Sequence, residues 1–175
     1  MTLDRPTLSY WLLYLLICSG IFFVELLPLQ TQPGDWSRGD PLVPLTMAWM
    51  LRRPDYLPLS LAACMFFLGD LLLQRPPGLF AGLALMGCLF LRARGAELRR
   101  ASRGVEFAFA AGAIIAIYVA YRLILFATFL PAPSLSAAAS ELVFTLLYYP
   151  IFIVLIGPAL GLRHFGDPAN EGAAR

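Results

Sequence analysis

The sequence has no lysine, a single histidine and few charges of either sign. Charged residues make up 14% of the chain, against about 25% in soluble domains. The one histidine, His164, lies beyond the last apolar run, so no nucleophile–base pair can be built around it. The three cysteines (Cys18, Cys64, Cys88) each sit inside an apolar run and none has CxxC spacing. That excludes a disulfide framework and a thiolate metal site, and leaves them as small buried apolar residues. No glycine-rich phosphate loop follows a strand-like run. All thirteen basic residues are arginine and cluster at the ends of apolar runs, a pattern of membrane topology rather than nucleic-acid binding. The expectation is a protein that is not an enzyme and needs no cofactor and no metal.

What the chain does have is apolar length. It is 59% hydrophobic with a mean hydropathy of +0.74, where soluble domains hold about 45–50% apolar residues. The fold class this implies is all-α, a polytopic transmembrane bundle of six helices with a short second one. The runs are 8–29, 41–51, 57–74, 79–91, 105–130 and 137–162. The first is too long for the apolar core of a cleavable signal and lacks a small-residue cleavage site, so it reads as a retained helix. At 1.5 Å per residue it spans the hydrocarbon core of about 30 Å, whereas 41–51 covers only about half of it. The second run is therefore either a re-entrant half-helix or a short crossing. Pro76, Pro77 and Gly78 close the third run, and Pro131 and Pro133 close the fifth. Pro150 and Pro158 lie inside the sixth, where a bundle tolerates them. Residues 1–163 form one membrane domain, and 164–175 a short flexible cytoplasmic tail.

With six crossings and the N-terminus inside, ten arginines face the cytoplasm (5, 52, 53, 92, 94, 99, 100, 103, 163, 175) and two face out (38, 75). A five-crossing layout with the N-terminus outside satisfies the positive-inside rule equally, because Arg5 and Arg38 only trade sides. Charge thus orients the last four runs without deciding whether 41–51 crosses. The stretch 92–103, with five arginines and Glu97, reads as a topology signal resting on anionic lipid or as a docking site for a cytoplasmic partner.

Three ionisable residues fall inside the runs at similar depth in the outer leaflet: Glu25, Asp70 and Arg122. An ionisable group at that depth is retained when something pairs with it or uses it. The expectation is that Arg122 pairs with Asp70 or Glu25, the alternative being that each snorkels separately to the interface. Ala108, Gly112, Ala116 and Ala120 form an i, i+4 ladder of small residues, a face that admits another helix closely. Tyr118, Arg122 and Phe126 lie on another face of the same run. Gly78 and Gly82 make a weaker small-residue pair in the fourth run.

The motif Pro41, Pro44, Trp49, Arg52, Arg53, Pro54, followed by Gly69-Asp70-Leu71-Leu72 and then Pro77-Gly78, resembles the bacterial rod shape-determining MreD family. The pair Tyr149-Pro150 in the sixth run fits as well. The resemblance covers nearly the whole chain in architecture and about forty residues in motif. It implies a non-catalytic scaffold in the inner membrane, with both termini cytoplasmic. Implied partners are a single-pass MreC-like protein first, then the actin-like MreB, the glycosyltransferase RodA and a class B penicillin-binding protein. The family is thought to share its six-helix architecture with the vitamin-binding subunits of energy-coupling-factor transporters. A rival reading follows, in which the outer half near Asp70 and Glu25 houses a small ligand.

Overall fold

The computed structural model describes residues 5–27, 38–52 and 54–159, and the described chain is entirely helical. Its elements are α1 (Arg5–Leu26), α2 (Leu42–Arg52), α3 (Leu59–Leu72), α4 (Leu79–Ala93), α5 (Gly95–Leu98), α6 (Arg103–Ala127) and α7 (Leu135–Ala159). Three stretches are long and apolar enough to cross a membrane: Leu8–Leu26, Arg103–Ala127 and Leu135–Leu155. That length and composition mark a membrane-embedded chain. The perimeter agrees, with Leu16, Phe126 and Val154 all more than two-thirds exposed.

The helix count differs from the six expected. The seventh, α5, is one turn folded inside the arginine-rich stretch between α4 and α6. α2, α3 and α4 have 11, 14 and 15 residues, so each is shorter than a standard spanning helix. α6 stops at Ala127 rather than 130, because Thr128 and Phe129 leave the helix and Phe129 takes a φ of 55°. α7 starts two residues earlier than expected and continues through Pro150 and Pro158. Arg53 and the tail 164–175 lie outside the described residues.

α2 is the centre of the molecule. From Leu42 to Leu51 every residue is buried, and its neighbours are α4, α6 and α7. Its sequence has no polar face: Thr46 is the one hydrogen-bonding side chain between Leu42 and Leu51 besides Trp49. A helix apolar on all sides must be enclosed. α1 reaches it through a hydrogen bond between Tyr14 Oη and Thr46 Oγ1 (2.8 Å), and Tyr14 packs edge-on against Trp49 at 5.5 Å. Thr46 also donates to the Leu42 carbonyl within its own helix, at 2.7 Å. The remaining helices therefore form a cage whose ends, rather than its middle, hold the charges.

Candidate functional site

At the N-terminal end of α2, one guanidinium ties three elements together. Arg75, in the turn between α3 and α4, gives Nη1 to Asp40 Oδ2 (2.7 Å) and Nη2 to Glu141 Oε1 (3.1 Å). Asp40 precedes α2, and its Oδ1 accepts the Leu42 N–H at 3.0 Å. A carboxylate there also meets the positive end of the helix dipole. Asp40 N–H donates to Thr145 Oγ1 of α7 at 2.8 Å, and Tyr118 of α6 donates to Glu141 at 3.3 Å. The Phe80 ring lies 4.3 Å from the Arg75 guanidinium. Burial works against the charge on Arg75, yet Asp40 and Glu141 outweigh it and raise its pKa above the ordinary value.

Asp70 works beside this cluster as a cap. It is 1% exposed, and its Oδ2 accepts the N–H groups of Gly78 (2.9 Å) and Ala81 (3.0 Å) at the start of α4. Those groups have no partner inside their own helix. Gly78 turns the chain with φ 83°, a left-handed conformation that a side chain would strain. Gly69 lies where α3 meets Phe22 of α1, at a spacing that would still accept a methyl group. Asp70→Ala leaves the buried N–H of Ala81 and the more exposed N–H of Gly78 without their acceptor and should destabilise the protein by about 1–3 kcal/mol, whereas Asp70→Asn keeps an acceptor oxygen and should cost less, about 1 kcal/mol. Thermal unfolding in detergent, followed by circular dichroism, reads the difference.

A second ionic group closes the other end of α2. Arg52 Nη2 pairs with Glu106 Oε1 at 3.4 Å, and Tyr149 of α7 donates to the same oxygen at 3.2 Å. Arg99 Nη1 donates to the Leu51 carbonyl at 3.0 Å, which satisfies one of the last acceptors of α2 and places a cation at its negative end. α2 is thus held between an acid-rich end and an arginine-rich end, about 16 Å apart along the helix.

Next to the Asp40–Arg75–Glu141 cluster lies a cavity of about 700 Å³, lined by residues of α1, α3, α6 and α7 that include Glu25, Asp70 and Arg122. The structure brings these three to one cavity but does not pair them as expected. Arg122 donates to the Pro133 carbonyl at 3.2 Å and forms no ion pair with Asp70 or Glu25 among the described residues. The reason is direction: Asp70 is turned to the α4 backbone, and Arg122 to the α6–α7 connection. The cation that does the pairing is Arg75, which the sequence offered only as a topology marker. Tyr118 is likewise spent inside the bundle on Glu141 and Thr145, so it is not free for a partner, while Phe126 is 79% exposed.

Comparison with known protein families, curated proteins and solved structures found no match. The geometry therefore carries the functional reading. Among the described residues no group of three His, Cys, Asp or Glu side chains is placed to hold a metal. Ala108, Gly112, Ala116 and Ala120 line an open apolar groove of about 590 Å³ together with Leu83, Met86, Gly87 and Phe90 of α4. Gly82 faces open space, and Gly87 is the α4 glycine that meets another helix, through Ile117 and Met47. Sequence reasoning missed Asp40, Arg75, Glu106 and Gly87. A usable signal existed for the first two: Asp40 stands where a helix N-cap belongs, and Arg75 follows Asp70 by five residues, just past the end of α3.

Proposed function

We propose that this protein is a non-catalytic membrane scaffold of the MreD type, working in bacterial cell-wall elongation by binding a single-pass MreC-like partner. The observation that carries this reading is what the motif residues do. Trp49 is buried against Tyr14, Arg52 closes one end of α2, Gly69 lies at the α1–α3 contact, and Asp70 with Gly78 builds the α3–α4 turn. These residues serve mainly to hold a frame, as a scaffold requires, although Trp49 Nε1, Arg52 Nε and Asp70 Oδ1 are buried without a hydrogen-bond partner. In this reading the chain crosses the inner membrane six times with both termini in the cytoplasm. The Asp40–Arg75–Glu141 cluster is then external and the Arg52–Glu106 pair internal. MreB, RodA and a class B penicillin-binding protein join through the assembled complex.

The α4–α6 groove is the surface offered to the partner helix, because small residues let a second backbone approach closely. Gly112 has open space around it, so Gly112→Ala should leave the isolated chain intact. Gly112→Leu fills the groove and should cut co-purification of an MreC-like partner by about tenfold or more. It should also widen or round the cells. Unchanged co-purification and cell width would remove the groove from the interface.

One observation favours the rival vitamin-binding reading, namely the cavity of about 700 Å³ in the half of the bundle where such a subunit would hold its ligand. A vitamin visible in the mass spectrum of the purified protein would select that reading over the scaffold.

A further inference from the structure

The cavity beside Arg75 is lined by two charged side chains without an ion pair among the described residues, one of which, Arg122, gives a single N–H to the Pro133 carbonyl. Arg75 is occupied by Asp40 and Glu141, and Asp70 Oδ2 by the α4 backbone. Glu25 of α1 and Arg122 of α6 remain. Both line the cavity, and among the described residues neither forms an ion pair, with each other or with any third group. Charges at that depth are costly unless a partner meets them. Asp70 adds a third pointer. Its Oδ1 is buried without a hydrogen-bond partner. Gly69 lies against Phe22, three residues before Glu25, and Glu25 and Asp70 line the same cavity.

We propose that this cavity binds a small zwitterionic group, with an ammonium held at Glu25 and the free oxygen of Asp70, and an oxyanion held by Arg122. The ammonium supplies several N–H donors, which suits a carboxylate and a lone acceptor; the planar guanidinium suits a phosphate or carboxylate oxygen pair. A purely anionic ligand would bring no donor to Glu25 or to the free oxygen of Asp70, and a purely cationic one would bring no anion to Arg122; Arg38 lines the same cavity. The rest of the wall is mixed: Arg38, Asp40, Gln74, Arg75 and Glu141 line it with apolar Ile21, Phe22, Leu125 and Leu142, and the apolar part suits an occupant that carries hydrocarbon close to its polar head. That chemistry comes from two sources: the headgroup of phosphatidylethanolamine, or a free amino phosphate or amino acid. The proposal does not depend on the scaffold reading, since the α4–α6 groove can lose its partner without altering this site.

The test is native mass spectrometry of the full chain released from detergent. Dioleoyl phosphatidylethanolamine, phosphatidylcholine and phosphatidylglycerol are added in equal amounts, and O-phosphoethanolamine is titrated separately. Phosphatidylethanolamine should be retained over the other two, because phosphatidylcholine lacks N–H donors and phosphatidylglycerol lacks the cation. Arg122→Gln and Glu25→Gln should each weaken binding about tenfold, as loss of one charge-assisted contact does. The exchanged double variant Glu25→Arg with Arg122→Glu should regain part of the loss. Displacement of lipid by O-phosphoethanolamine assigns the site to the head alone; binding of lipid without displacement assigns it to the membrane lipid. Equal retention of the three lipids, or binding indifferent to both single variants, overturns the proposal.

Discussion

Arg75→Met should be the most damaging substitution in the chain, lowering stability by about 3–5 kcal/mol. Methionine matches much of the aliphatic stem but leaves Asp40 and Glu141 without their cation. The side chains of all three are at most 18% exposed, so water cannot take over the pairing cheaply. Removing one member of a buried ionic set costs more than the set contributes, because the remaining charges stay buried. Two companions separate this from simple loss of packing. Arg75→Lys should fall between, since a single ammonium cannot reproduce the two-pronged contact with Asp40 and Glu141. The triple variant Asp40→Asn, Arg75→Met, Glu141→Gln should recover most of the loss, because no unpaired charge is left. The measurement is the unfolding midpoint in mixed micelles under added sodium dodecyl sulfate. An Arg75→Met midpoint equal to the parent's would show that the cluster does not hold the bundle together.

Gly39→Ala should come next, at about 2–4 kcal/mol. A Cβ on residue 39 would meet the backbone nitrogen of Thr145 and stand 2.6 Å from both the carbonyl carbon and the Cβ of Phe144. These are backbone or backbone-proximal atoms, with no flexible tip to swing away. The chain entering α2 must then move off α7, and the 2.8 Å bond from Asp40 N–H to Thr145 Oγ1 stretches with it. Gly82→Ala adds the same methyl group with nothing within 4 Å. Inside a helix it should instead stabilise by about 0.5–1 kcal/mol. Opposite signs for the same chemical change, read from the same unfolding curves, would establish that proximity rather than helix propensity governs residue 39.

The helices were legible because apolar length is a one-dimensional property. The membrane-embedded, all-helical class followed from composition, and the helix ends at Pro58, Gly78 and Thr128 fell within a few residues of the proline and glycine signals. The ionic pairing was not legible, for a geometric reason. Counting residues along a run gives depth but no azimuth. Asp70 and Arg122 line one cavity, yet their side chains turn to different backbone groups. Arg75 was misjudged because turns are taken to be wet, whereas here Phe80 and α7 close over it. Glu106 stood in the first turn of α6, where one acid is the ordinary complement to a helix dipole and gives no hint of a buried pair. The small-residue ladder lies along an open groove that α4 borders rather than fills.

The shortness of α2 has a consequence for how the protein is made. Eleven residues are too few for the insertion machinery to release into lipid as an independent span. Both of its termini also need charged groups that arrive with later parts of the chain: Arg75 after α3, Arg99 and Glu106 after α4, and Glu141 with α7. Biogenesis therefore runs out of order with synthesis, the second segment completing its burial only when the seventh has been translated. A ribosome-bound chain truncated before Glu141 would lack the anion that Arg75 meets on α7 and would hold the start of α2 in an unfinished state.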